Sequence, residues 1–314
     1  MSLPFPILTA DEAAAMIQHD QKLGCSGFTA AGSVKAIPTA IARRAEAEHA
    51  AGREFKIGLL TGASTGPSCD GALAKAKAIR MRTPYMSDSL LRQQINAGEV
   101  RFFDMHLSLL PQNVRYGFLG HVDWAIVEAA DVSAGGAVVL TASVGASNTY
   151  LQCADKVLLE LNARHPAALL GLHDIWEPKD PPARSEVPVY AVDDRVGSPV
   201  CMVDPRRIAG IVYTDLDDES TPFGDPTPVT ERIGRNIAEF LVNEMRAGRV
   251  PREFLPLQSG VGDIANSVLA AIGATPEIPD FTMYTEVVQD SVLPMLESGR
   301  VRFASTCGVT LSPE

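Results

Sequence analysis

The chain is short of the features that mark secreted, membrane and nucleic-acid-binding proteins. It has five cysteines in 314 residues (Cys25, Cys69, Cys153, Cys201 and Cys307), an odd number, widely spaced and without a C-x-x-C pair. That usage excludes a disulfide framework and offers no zinc pattern, so the thiols read as reduced, the compartment as cytoplasmic, and no metal is expected. No stretch reaches the roughly 18 uninterrupted apolar residues of a spanning helix, and the opening "MSLPFPILTADEAAAM" has no basic n-region, so neither a membrane segment nor a signal peptide is predicted. Positive charge is also scarce. The 27 Lys and Arg against 38 Asp and Glu leave a net charge of −11, which argues against an extended nucleic-acid or anionic-membrane surface. No fixed-period repeat or low-complexity tract occurs, which removes solenoids and disorder.

What is present is a globular composition, 46% hydrophobic and 21% charged, in a chain long enough for two domains. The N-terminal two-thirds alternates helical patterns with short β-rich apolar runs, the mark of a mostly parallel α/β sheet. Thr9 to Glu12 is a capping-box pattern opening a first helix. Strands are predicted in "LGCSGFTA", "FKIGLLTG", "VRFFDMHLS", "VDWAIVEAADV", "GGAVVLTASVG", "KVLLELN", "VPVYAV" and "IAGIVYTD". Helices are predicted in "VKAIPTAIARRAEAEHAAG" and "SDSLLRQQINAG". Around Thr214 to Pro228 the composition turns acidic and rich in proline and glycine, so a domain boundary is placed there, giving domains 1–220 and 221–314. Beyond it, "VTERIGRNIAEFLVNEMRAG" puts Ile233, Ile237, Phe240, Leu241 and Met245 on one helical face. A helix "IANSVLAAIG", a strand "FTMYTEV", a helix "VVQDSVLPMLESG" kinked or shortened by Pro294, and a strand "VRFAST" complete the reading.

Three loops carry the candidate chemistry. In "PLQSGVGD", Gln258, Ser259, Gly260, Val261 and Gly262 precede a helix. Gly260, Gly262 and Ala265 fit a dinucleotide fingerprint, but "FLPLQ" is a poor central strand; an anion or oxyanion site built from free backbone N–H groups is the other reading, and a plain glycine turn the third. Glu286, in "MYTEVVQD", sits where a strand is expected to end and a helix to begin, either a reactive carboxylate or a solvated helix-start acid. "GASTGP" offers the Gly62 backbone and the Ser64 and Thr65 hydroxyls to a carboxylate, or else an ordinary N-cap. "SGFT", with Gly27, Phe28 and Thr29, is a similar loop and a weaker candidate. His173 and Asp174 in "HDIWE" are neighbours in sequence and, pointing apart along a strand, are taken as structural.

Taken in order, "SGFT", "LLTGASTGP", "INAGEVRFFDMHLS", "VEAADV", "TASVG", "GLHDIWE", "PLQSGVGDIANSVL", "YTEVVQD", "LESGRVRFAS" and "TLSPE" resemble the class I acetyl-CoA hydrolase/CoA-transferase family, most closely its succinyl-CoA:acetate CoA-transferase branch. The resemblance covers nearly the whole chain. It implies two open, mostly parallel α/β domains, a homodimer, and acyl-CoA:carboxylate CoA transfer with coenzyme A thioesters as substrates and no tightly bound cofactor. Acetyl-CoA hydrolysis and a non-catalytic acyl-CoA-binding subunit are the alternatives. It further implies Glu286 as nucleophile, with a glutamyl-CoA thioester as intermediate. Gln258 to Gly262 become a CoA-side loop whose Val261 N–H faces the reacting carbonyl. Asp263 stands where many family members have Asn. Family chains continue past the "LSPE" block, so the second domain is expected to be incomplete here, and the 314-residue chain alone is expected to transfer CoA negligibly and to self-associate.

Overall fold

The computed structural model describes residues 3–220 and 226–312. The chain divides into two compact units, residues 1–177 with 197–220, and residues 178–196 with 221–314. The predicted linker Thr214–Pro228 has Thr221–Asp225 outside the described residues.

The first unit is α/β. Its strands are β1 (Lys22–Cys25), β2 (Ile57–Leu60), β3 (Ile79–Thr83), β4 (Arg101–Phe102), β5 (Trp124–Val132), β6 (Ala137–Leu140), β7 (Lys156–Asn162), β8 (Cys201–Met202) and β9 (Ile208–Thr214). Its helices are α1 (Ala10–Met16), α2 (Ala36–Ala50), α3 (Ala72–Lys75), α4 (Ser89–Asn96), α5 (Leu110–Arg115) and α6 (Ser147–Cys153). All strand pairs along β4-β3-β2-β1-β5-β7-β9 are parallel, while β6 adds antiparallel to β5 and β8 to β6. The chain runs outward from β1 to β4 and returns to β5 on the other side of β1. Between β1 and β5 the strand order therefore reverses, the place where open parallel sheets leave a crevice beyond their carboxyl ends.

Central strands are buried on both faces, which is why they read as unbroken apolar runs rather than alternations. On β1, Leu23 and Cys25 join the core under α1 and α2, with Ile17, Ile37 and Ile41. On β5, Ala125 and Val127 join the opposite core, with Tyr150 and Leu151 of α6. Each large aliphatic side chain so buried contributes roughly 1.5–3 kcal/mol. Gly24 lets α6 approach: a Cβ there would fall 2.4 Å from the Tyr150 ring. Thr9 caps α1 with the reciprocal Glu12 bond that its spacing predicts.

The second unit contains α7 (Pro228–Arg246), α8 (Asp263–Ala274), β10 (Phe281–Gln289), α9 (Leu293–Glu297) and β11 (Val301–Thr310), with β10 and β11 parallel. Its core gathers Ala238, Val242, Leu269, Ile272, Phe281, Met283 and Val301.

Several expectations are corrected. "VPVYAV" forms no strand, and "VRFFDMHLS" is strand only at Arg101–Phe102. In α7 the buried positions are Gly234, Ala238 and Val242, while Phe240 is 59% exposed and Ile237 38%. The reason is a close crossing: a Cβ on Gly234 would lie 2.5 Å from the Ser267 carbonyl, so the contact face of α7 is its small-residue stripe. Pro294 enters the first turn of α9 rather than a helix interior, and Val287, Val288 and Gln289 belong to β10.

Candidate active site

In the first unit, three turns from three strands meet backbone to backbone. Gly27 follows β1 with φ +125°, Gly62 follows β2, and Gly145 follows β6 with φ +50°. A Cβ on Gly62 would lie 2.7 Å from the Gly27 carbonyl, 3.0 Å from the Ala146 nitrogen and 3.0 Å from the Gly145 Cα. Only glycine fits there, and the positive φ values at the other two are likewise glycine territory. The "SGFT" turn is closed by the Phe28 N–H donating to the Ala31 carbonyl (3.1 Å). The Ser143 hydroxyl, from the β6 turn, also donates to that carbonyl (2.8 Å). Phe28 is buried, and Thr29 takes φ +60°, an uncommon conformation for a β-branched residue.

The "GASTGP" turn rests on a buried ion pair. Arg82 of β3 donates from Nε and Nη2 to the two oxygens of Asp70 (2.7 and 2.8 Å), and also to the carbonyls of Ala63 (3.1 Å) and Thr83 (2.6 Å). Both side chains are fully buried. Burial works against the guanidinium charge, but the Asp70 carboxylate outweighs it and the Arg82 pKa is raised. Asp70 also accepts from the Thr65 N–H, and the Thr65 hydroxyl accepts from the Asp70 N–H, each at 3.1 Å. The Thr65 N–H and hydroxyl oxygen thus brace the turn. The N-cap of the following π-helical turn, Pro67–Gly71, is Gly66, without a side-chain bond. Neither hydroxyl caps the turn as the plain reading of this loop required. Ser64 is buried, and its hydroxyl has no protein hydrogen bond among the described residues.

Behind these turns lies a charge cluster that sequence reasoning did not single out. Lys35, at the start of α2, places Nζ 2.5 Å from Glu128 of β5 and 3.1 Å from Asp218, and donates to the Ser33 carbonyl (2.9 Å). Glu128 also accepts from Thr141 (2.9 Å) and Asn162 (3.0 Å), and His165 Nε2 lies 3.4 Å from it. Burial pushes the Glu128 pKa up, but His165 and Lys35 reverse it to below the ordinary range; for Asp218 burial prevails and the pKa is raised. Glu128, His165 and Asp218 have the ligand types of a metal site. The cation among them in the structure is the Lys35 ammonium. The cluster holds the "SGFT" loop through the Asp218 bond to the Gly32 N–H (3.2 Å). Glu160 completes it by accepting the N–H groups of Lys35, Ala36 and Ile37 at the N-terminus of α2 (2.9, 3.2 and 2.6 Å).

In the second unit the "QSGVG" loop runs along β10. Leu257 bridges Met283 in parallel, with the Leu257 N–H donating to Thr282 and the Tyr284 N–H to Leu257 (2.9 and 3.0 Å). Thr285 Oγ1 then accepts from the Ser259 N–H and donates to the Ser259 carbonyl, both at 3.1 Å. Gln289 Nε2 donates to the Gly260 carbonyl at 2.9 Å. Gly262, φ +125°, is the N-cap of α8 and makes no side-chain capping bond. Gln258 and Gly260 are exposed, and Val261 is 52% exposed.

Glu286 lies inside β10, not at a strand-to-helix junction as expected. Strand alternation turns Thr285, Val287 and Gln289 inward and Glu286 outward, where it is exposed. Its backbone carbonyl accepts from Thr306 Oγ1 (2.9 Å). Cys307, the register neighbour of Glu286 on β11, is exposed as a residue, yet desolvation and then the Glu286 carboxylate raise its thiol pKa. The structure thus brings Gln258–Gly262 together with β10 in one unit, and Gly27–Thr29 together with Gly62–Thr65 in the other. His173 and Asp174 serve structure: the His173 ring bonds the Leu140 carbonyl (3.1 Å) and Asp174 accepts from the Gly197 N–H (2.7 Å). The signals for the residues missed were faint but present, an acid in the apolar run "WAIVEAADV" for Glu128 and a glutamine on the inward face of "FTMYTEVVQ" for Gln289.

Comparison with known proteins bears on the whole chain. The acetyl-CoA hydrolase/transferase N-terminal domain pattern matches residues 5–219. The propanoyl-CoA:succinate CoA transferase of Escherichia coli is 45% identical over 98% of this chain and 62% of its own length. The succinyl-CoA:acetate CoA-transferase of Clostridium kluyveri is 36% identical over 100% and 58% respectively, and the acetyl-CoA hydrolase of Schizosaccharomyces pombe 36% over 93% and 57%. The chain therefore spans about six-tenths of the length of these curated relatives. Among solved structures, RipA from Yersinia pestis has a TM-score of 0.68 at 18% identity, covering 97% of this chain and 64% of that one. The 4-hydroxybutyrate CoA-transferase of Porphyromonas gingivalis has a TM-score of 0.60 at 18% identity, with 98% and 63% coverage. These structural likenesses establish the fold.

Proposed function

The chain belongs to the acetyl-CoA hydrolase/transferase family, and from that premise we propose that it carries the nucleophile and oxyanion loop of an acyl-CoA:carboxylate CoA-transferase. The observation that carries the reading is the clamp of the "QSGVG" loop onto the strand bearing Glu286. The Glu286 carboxylate attacks the thioester carbonyl carbon of an acyl-CoA. The tetrahedral intermediate collapses with expulsion of the CoA thiolate, leaving a mixed glutamyl-acyl anhydride. The thiolate then attacks the glutamyl carbonyl, releasing the first carboxylate and forming the glutamyl-CoA thioester. An incoming carboxylate reverses the two steps and leaves with CoA. The thioester is a substrate, and no resident cofactor is needed. A carboxylate is a weak nucleophile, so the rate depends on stabilising each oxyanion, and one preorganised donor such as the Val261 N–H is worth about 10²–10³ in rate.

The relatives' substrates support short acyl groups with acetate, propanoate or succinate as carboxylates. The Ser64 hydroxyl and the Gly27 and Gly62 turns are assigned to the carboxylate. Because acetyl-CoA hydrolases lie in the same family, hydrolysis is the second reading; it differs only in whether water reaches the glutamyl thioester. Rapid-quench mass spectrometry after mixing acyl-CoA with the chain in a full-length enzyme context, at the length of its curated relatives, tests the scheme. A CoA adduct is expected on the peptide holding Glu286 and none after Glu286→Ala, while an adduct or turnover surviving Glu286→Ala rules the mechanism out.

A further inference from the structure

Gln289 is almost wholly buried, 1% exposed, on the inward face of β10. Its Nε2 reaches the Gly260 carbonyl, yet among the described residues its Oε1 is buried with no hydrogen-bond partner. A buried amide with an orphaned acceptor costs stability, so packing alone does not account for a glutamine there. What the single bond does is fix a peptide plane. In a trans peptide the carbonyl of Gly260 and the N–H of Val261 point in opposite directions. Tying that carbonyl inward to Gln289 turns the Val261 N–H away from the core, in the outward sense that strand alternation also gives the Glu286 side chain. Gly260 itself resists a flip poorly, having no Cβ and, in space, only the Ala265 methyl near the position one would take, at 4.0 Å. One residue upstream, Thr285 clamps both backbone groups of Ser259.

Resting on the reading of Glu286 and Val261 given above, we propose that Gln289, seconded by Thr285, is a positioning residue that locks the Gly260–Val261 peptide with its N–H turned outward to the oxyanion. Neither residue touches the reacting atoms. The role differs from a packing role in what its loss does: the loop stays attached through Leu257, but its donor loses orientation.

The test is the rate of glutamyl-CoA formation, followed by rapid quench on the chain in a full-length enzyme context at the length of its curated relatives, beside acyl-CoA affinity and thermal melting. Gln289→Leu should slow formation about 10- to 100-fold, part or most of the effect of removing one oxyanion donor. The acyl-CoA Kd should stay within about threefold, and the melting temperature within about 3 °C or above that of the parent, since the orphaned acceptor is gone. Thr285→Val should slow the step in the same direction, and Thr285→Ser, which keeps the hydroxyl, should restore it. A Gln289→Leu protein that reacts at the parent's rate, or that loses rate only in proportion to a collapse in melting temperature, overturns the proposal. Failure of the full-length parent enzyme to form any adduct is a separate outcome, which overturns the reading of Glu286 and this inference with it.

Discussion

Replacing Asp70 by Asn should destabilise the first unit more than almost any other single change that preserves side-chain shape. The substitution keeps the volume but leaves the Arg82 guanidinium, fully buried, without its carboxylate. Breaking one side of a buried ion pair costs about 3–5 kcal/mol. For a folding unit of roughly 200 residues, each kcal/mol moves the melting temperature by about 2–4 °C, so a fall of about 6–20 °C is expected. Arg82→Met should cost a similar amount, because Asp70 is then stranded and the Ala63 and Thr83 carbonyls lose a donor. The double variant should be less damaging than the sum of the two, since no charge remains unpaired; recovery should be incomplete by about 0.5–1.5 kcal/mol for each carbonyl left without its bond. Urea unfolding followed by the fluorescence of Trp124, buried in this unit, measures all three. A single variant losing under about 1 kcal/mol, or a double variant at or beyond additivity, refutes the reasoning.

Two further outcomes follow from the same geometry. In a full-length enzyme context, Ser64→Ala should raise KM for the carboxylate substrate by about 5- to 150-fold, corresponding to about 1–3 kcal/mol for one buried hydroxyl donor, and an unchanged KM for acetate and succinate returns the loop to a purely structural role. Cys201, buried on β8, has its thiol pKa pushed up to about 12, by burial first and then by Glu177. Because the folded state holds the proton more tightly, this contribution is complete below the unfolded thiol pKa, near 9, and is lost as pH rises toward 12. Cys201→Ala should therefore flatten the fall in urea stability between pH 8 and 11 by about 2–3 kcal/mol, at about 1.4 kcal/mol per pH unit. Parallel stability curves for the two proteins would show that the thiol does not carry this dependence.

The parallel sheet was legible because its central strands are buried on both faces, and a run such as "KVLLELN" has few other uses. The edges were not: "VPVYAV" has the composition of a strand but forms none. In α7 the apolar periodicity pointed to Phe240 and Ile237, but the close crossing with α8 selected Gly234 and Ala238, whose size, not hydropathy, decides the contact. Glycine turns announced the site loops, since Gly27, Gly62 and Gly262 stand where side chains are excluded or strained. Gly145 passed unnoticed because its importance lies in two turns distant in sequence. The same holds for Lys35, Glu128 and Asp218, a cluster assembled across 183 positions whose members look like ordinary surface charges until the sheet brings them together.

The contact of Gly27, Gly62 and Gly145 constrains how this site can change over evolutionary or laboratory time. Three turns that share one van der Waals junction cannot be exchanged or lengthened one by one, because a displaced backbone in any of them invades the other two. On the proposed assignment of these turns to the carboxylate, variation in substrate preference falls to the side chains the turns carry, such as Phe28 and Ser64. A library that randomises those positions while holding the three glycines should keep far more folded members than one that grafts a single foreign loop.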